Sequence, residues 1–162
     1  MPTKEQIEQI IKLLQPILRL TNWEINFDYC DKYRIKDLTN KTGSAACNES
    51  NFAINYSHIY ISTDTDRPDE WYNSLVHELF HLVTSDYRYH AVSMLDYVKD
   101  EAINTKESNV LNAYYEQLID SLSKIFCSVY PVSNLDHILN HAAALELQMA
   151  GMTGTTSIMK GE

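Results

Sequence analysis

A helix predicted from about Pro68 to Thr84 constrains this chain most. It carries His77 and His81 one turn apart, set between the apolar pairs Leu75-Val76 and Leu82-Val83. Residues four apart on a helix lie one above the other. Such a helix must bury its apolar side against other elements while keeping both imidazoles on one accessible face. Thr63-Asp64-Thr65-Asp66-Arg67-Pro68 supplies the start signal: Asp and Thr can cap, and Pro68 suits the first turn. Asp69 and Glu70 then favour the positive end of the helix dipole.

What packs on this helix can be read from the preceding chain. Ile7, Ile10, Ile11, Leu14, Ile17 and Leu18 form a helical stripe over residues 3–20. Thr3 and Gln6 have capping-box spacing, and Pro16 should kink or end the helix early. Trp23, Ile25, Phe27 and Tyr29 alternate with Glu24, Asn26 and Asp28, the pattern of a half-buried strand. Residues 30–42 show no period and are expected to be a loop. Gly43 to Cys47, Phe52–Asn55 and His58–Ser62 are expected to be short strands, with Asn55-Tyr56-Ser57 as a turn. Further helices are expected around Val92–Val98, over about Asn109–Tyr130 and over 134–150. The order predicts an α+β domain over about residues 1–150, with helices on one face of a short twisted sheet. Residues 151–162 are expected to form a flexible tail.

The charge balance limits the partners. Lys and Arg number 13 against 22 Asp and Glu, a formal net charge of −9 with His neutral. That disfavours a nucleic-acid binder, which needs a basic face. It favours a basic substrate or partner. No apolar run reaches the roughly 20 residues of a membrane span. Met1–Gln6 contains no basic start followed by an apolar core, and a cytoplasmic location is expected. Cys30, Cys47 and Cys127 are odd in number and lack CxxC spacing, as expected of free thiols in a reducing compartment.

Within the central helix, His77-Glu78-Leu79-Phe80-His81 is an HExxH pattern. Two neutral imidazoles at this spacing can share one zinc ion, and Glu78 can take a proton from water activated there. A third protein ligand is expected. The metzincin positions for a third His and a Gly are occupied by Tyr87 and Thr84, which excludes that class. Asp86, His90 and Glu116 remain as candidates. A helical wheel puts Leu111, Tyr115, Leu118, Leu122, Ile125 and Val129 on the main apolar stripe of the long helix. Glu116 and Asp120 fall on another face with Ala113, Ser123 and Cys127, and the wheel does not choose among the three candidates. Tyr87, Tyr89, His90 and Tyr114 are candidates for stabilising an oxyanion. His58 is expected to be a surface or packed residue rather than a ligand, and His137 and His141 a surface pair.

The Trp-led strand Trp23-Glu24-Ile25-Asn26-Phe27, the strand His58–Ser62, the motif helix Leu75–Val83 and the later segment Glu116-Gln117-Leu118-Ile119-Asp120-Ser121-Leu122 resemble small zincin-like metallopeptidases of bacteriophages and prophages. The resemblance spans about Leu20 to Tyr130. It implies a minimal zincin fold, one zinc ion held by His77 and His81, and Glu78 as general base. The Glu116-x-x-x-Asp120 pair resembles the gluzincin arrangement. That implies Glu116 as third ligand and Asp120 as a support for His77. The implied activity is hydrolysis of a peptide bond in a protein or peptide substrate, in the host cytoplasm if the chain is phage-encoded. A repressor-cleaving regulator of a mobile element, or a non-catalytic scaffold that keeps the core, are the alternatives. Gly43-Ser44-Ala45-Ala46, as a small-residue sheet edge, would let an extended peptide lie beside it.

Overall fold

Thr3 opens the first helix as its sequence suggests. Its side chain accepts from Gln6 N (3.3 Å), and its own N–H donates to Gln6 Oε1 (2.8 Å). Helix α1 (Lys4–Ile17) buries Ile7, Ile10, Ile11 and Leu14. Pro16 lies in its last turn, and the helix stops one residue later, with Arg19 at a positive φ of 58°.

The structure, a computed structural model, describes residues 1–39, 45–64, 70–95, 97 and 101–133. The chain divides into two compact units, Met1–Val129 and Tyr130–Glu162. Only 130–133 of the second unit are among the described residues. The expected 134–150 helix, the tail, His137 and His141 lie outside them. So do Gly43, Ser44 and most of the predicted start of the motif helix.

The first unit is α+β. Strands β1 (Glu24–Cys30), β2 (Ala46–Asn51) and β3 (Tyr56–Ser62) form one mixed sheet in the order β1-β3-β2. β1 runs parallel to β3, with Phe27 opposite Ile59, and β2 runs antiparallel to β3, with Asn48 opposite Ile59. Side chains alternate between faces. Phe27, Ile59, Ile61 and Ser57 therefore share one buried face with Asn48, while Cys47 and Tyr60 share the other.

Phe52–Asn55 is a turn rather than the expected strand. Asn51 Oδ1 accepts from Ala53 N (3.1 Å), and Asn55 takes the left-handed conformation (φ 50°) that Asn tolerates. Phe52 and Ile54 are left exposed, so the apolar letters that suggested a strand reflect no burial. The expected loop at 30–42 contains helix α2 (Lys32–Thr39). Asp31 caps it by accepting from Arg34 N (2.8 Å). Ile35 is its one buried residue, which is why no period was visible. Arg34 lies over the Tyr60 ring, placing α2 on the Cys47–Tyr60 face.

On the opposite face packs α3 (Trp71–Val83), which buries Tyr72, Leu75, Val76, Leu79 and Leu82. Each fully buried Leu, Ile or Phe contributes about 1.5–3 kcal/mol, and this stripe with Phe27, Ile59 and Ile61 forms the core beneath the motif. Helix α4 (Ser85–Leu95) follows almost at once and buries none of its residues. It begins earlier than the expected Val92–Val98 segment.

Helix α5 (Glu101–Val129) also begins earlier than expected. Among its described side chains Tyr115, Ile119 and Ser123 are buried, whereas Leu118, Ile125 and Val129 from the predicted apolar stripe are exposed. The inward face is therefore the one beside Glu116 and Asp120. Packing on α3 explains this choice: Phe80 and Phe126 meet edge to face at 5.8 Å, and Tyr115 Oη lies 2.7 Å from Thr84 Oγ1. Ser123 satisfies its buried hydroxyl by donating to Ile119 O (2.8 Å). Among the described residues, no helix is long and apolar enough to cross a membrane.

Candidate metal centre

Two contacts between α3 and α5 set the height of α5 along its neighbour, the Thr84–Tyr115 hydrogen bond and the Phe80–Phe126 ring pair. Between them Glu116 reaches the two histidines. His77 Nε2 and His81 Nε2 are 3.0 Å apart, and Glu116 Oε2 lies 3.6 Å from each. Donors held about 2.0–2.1 Å from a tetrahedral zinc are about 3.3 Å from one another. The three observed separations straddle that value. Two imidazole nitrogens and a carboxylate oxygen are also the donor types such a site uses, so the residues fit a zinc ion. Among the described residues, His77, His81 and Glu116 are the cluster that could hold a metal.

Asp120, one turn beyond Glu116, has Oδ1 3.0 Å from His77 Nδ1. A carboxylate there favours the proton on Nδ1 and leaves the Nε2 lone pair directed at the cluster. Burial works against a charged His77, but the Glu116 carboxylate and the charges of Glu78 and Asp120 outweigh it, and its pKa is raised. His81 is tilted against the Tyr115 ring at 5.5 Å, and Arg88 stacks on that ring at 5.3 Å.

Glu78 is 6% exposed. It lines the same cleft, of about 1040 Å³, as both histidines and Glu116. From β2, Asn48 Nδ2 donates to Glu78 Oε2 (2.9 Å) and lies 3.3 Å from Glu78 O. Leu38, Ala46 and Phe52 also line the cleft, as do Asp86, Tyr89 and Val92 from α4. Cys47 is buried at the border of the cleft. Burial, with the Glu78 charge adding to it, pushes its thiol up to about 12, so at neutral pH it is no nucleophile.

The other two ligand candidates stand apart. Asp86 lines the cleft but is not in the cluster, and His90 is exposed on α4 with its ring against Tyr89. Of the four residues considered for an oxyanion, Tyr89 is among those lining the cleft, and Tyr87, Tyr89 and Tyr114 are all largely exposed. His58 is packed, stacked on Tyr60 with Nε2 2.8 Å from Asp28 Oδ2. Sequence reasoning missed Asn48 and Tyr115. Alternation along β2 would have put Asn48 on the inward face, but only once the strand's limits were known. No family model, curated protein or solved structure matches this chain.

Proposed function

We propose that this protein is a zinc-dependent peptide hydrolase of the small zincin type. The observation that carries the reading is the convergence of His77 Nε2, His81 Nε2 and Glu116 Oε2 at separations of 3.0, 3.6 and 3.6 Å. The buried Glu78 lines the same cleft. His77, His81 and Glu116 would hold the zinc. When bound, zinc supplies a Lewis acid that polarises a carbonyl and lowers the pKa of water.

The chain's own residues supply the proton transfers. The Glu78 carboxylate takes a proton from the attacking water as the water oxygen bonds to the scissile carbonyl carbon. The same carboxyl group then delivers that proton to the leaving amine nitrogen as the C–N bond breaks. Asp120 keeps the His77 imidazole in one tautomer throughout. β2 ends the strand order, so an extended substrate can add along it, within reach of Glu78.

Zinc content and cleavage of casein by the full chain test this. The expected result is about one zinc per chain and proteolysis that Glu78→Gln lowers by about 10²–10⁴-fold without loss of zinc. A wild type that takes up no zinc, or a Glu78→Gln variant that cleaves as fast as wild type, refutes it.

A further inference from the structure

A long Glu side chain loses rotamer freedom when fixed in one place. Glu78 is nevertheless buried, and a partner from a different element holds it. Asn48 projects from the edge strand β2 on the core side of the sheet. Its Nδ2 contacts both Glu78 O (3.3 Å) and Glu78 Oε2 (2.9 Å). A backbone carbonyl and a carboxylate are both acceptors, so the end of the amide facing them must be the NH₂. The other end, Oδ1, is 3.2 Å from Ser50 Oγ, and Ser50 Oγ is 2.9 Å from Ser57 Oγ, which is fully buried on the central strand. The amide is therefore oriented by the sheet, and it ties the Glu78 carboxylate to the backbone of its own helix.

We infer that Asn48 is a positioning residue that fixes the Glu78 carboxylate facing the cleft and locks the base to the strand beside which substrate would lie. This rests on the hydrolase reading above. Asn48 is not one of the three cluster residues, and it acts through its hydrogen bond to the Glu78 carboxylate. Its loss should lower turnover without weakening zinc or substrate binding.

The test uses the full chain, zinc-free for unfolding and zinc-loaded for turnover. Hydrogen bonds to charged groups change an equilibrium by about 10–100-fold. In urea unfolding, Asn48→Ala and Glu78→Ala should therefore be non-additive, with a coupling of about fivefold or more. Asn48→Asp sets two carboxylates against each other and should cost more than Asn48→Ala. Adding Glu78→Gln exchanges donor and acceptor and should recover part of that loss, which a merely space-filling role would not do. With casein as the probe, Asn48→Ala should lower kcat by about 10–100-fold, with KM and zinc affinity within about twofold of wild type. Additive unfolding effects, absence of rescue in the exchange variant, or an unchanged kcat overturns the inference. A wild type that neither binds zinc nor cleaves casein overturns the hydrolase reading and the base's role with it, even where the unfolding coupling stands.

Discussion

Replacing Glu116 with Ala removes the cluster ligand that α5 supplies and leaves two imidazoles on α3. Apparent zinc free energies in structural sites run to about 10–16 kcal/mol over four ligands, so one ligand carries about 3–4 kcal/mol. That is a few hundred-fold in Kd. Asp120 acts one bond further out, through its 3.0 Å contact with His77 Nδ1, and its side chain is 56% exposed. Asp120→Ala should therefore cost about 10–100-fold, less than Glu116→Ala. The assay is the zinc-induced shift in melting temperature, read beside chelator competition. Zinc at about 100 times the wild-type Kd stabilises by about 2.7 kcal/mol. For a chain of this size that is a rise of about 5–10 °C. Under the same conditions the shift should fall to about 1–5 °C in Asp120→Ala and below about 1 °C in Glu116→Ala. An undiminished shift in Glu116→Ala refutes the three-ligand site. A larger loss in Asp120→Ala than in Glu116→Ala reverses the assigned roles.

Two tyrosine hydroxyls should behave oppositely. Tyr115 Oη is hydrogen-bonded to Thr84, and Tyr115→Phe should cost about 1 kcal/mol in urea melts. The buried Tyr72 Oη has no hydrogen-bond partner among the described residues, and Tyr72→Phe should raise stability by about 1 kcal/mol; the same sign for both would contradict the packing. At the sheet edge, the Lys4 hydrogen bond, opposed by burial and aided by His58, holds the Asp28 carboxyl below its ordinary 3.8. A depressed carboxylate pKa stabilises above the ordinary value and is lost as pH falls through the folded value. Asp28→Asn should thus cost less than about 1 kcal/mol at pH 7, because the pair is exposed, and the gap to wild type should close below that folded value. A gap that does not change with pH refutes the linkage.

Local rules determined much of this protein. The Thr3–Gln6 box, the alternation from Ile25 to Tyr29 and the one-turn spacing of His77 and His81 depend on backbone geometry within a few residues, and each is visible in the letters. So is the spacing that puts Glu116 and Asp120 one turn apart. Which face of α5 turns inward was not visible. Of the more apolar stripe, Tyr115 is buried but Leu118, Ile125 and Val129 are exposed, and Ile119 and Ser123 are buried instead, because the Phe80–Phe126 and Thr84–Tyr115 contacts fix where α3 meets the helix. Helix α2 escaped notice because a single buried residue, Ile35, leaves no period to detect. The choice of Glu116 over Asp86 and His90 for the cluster, and the meeting of Asn48 with Glu78, join residues about thirty to forty positions apart. Helical spacing reaches one or two turns along the chain; only the packing of α3 between β2 and α5 brings such distant side chains within bonding distance.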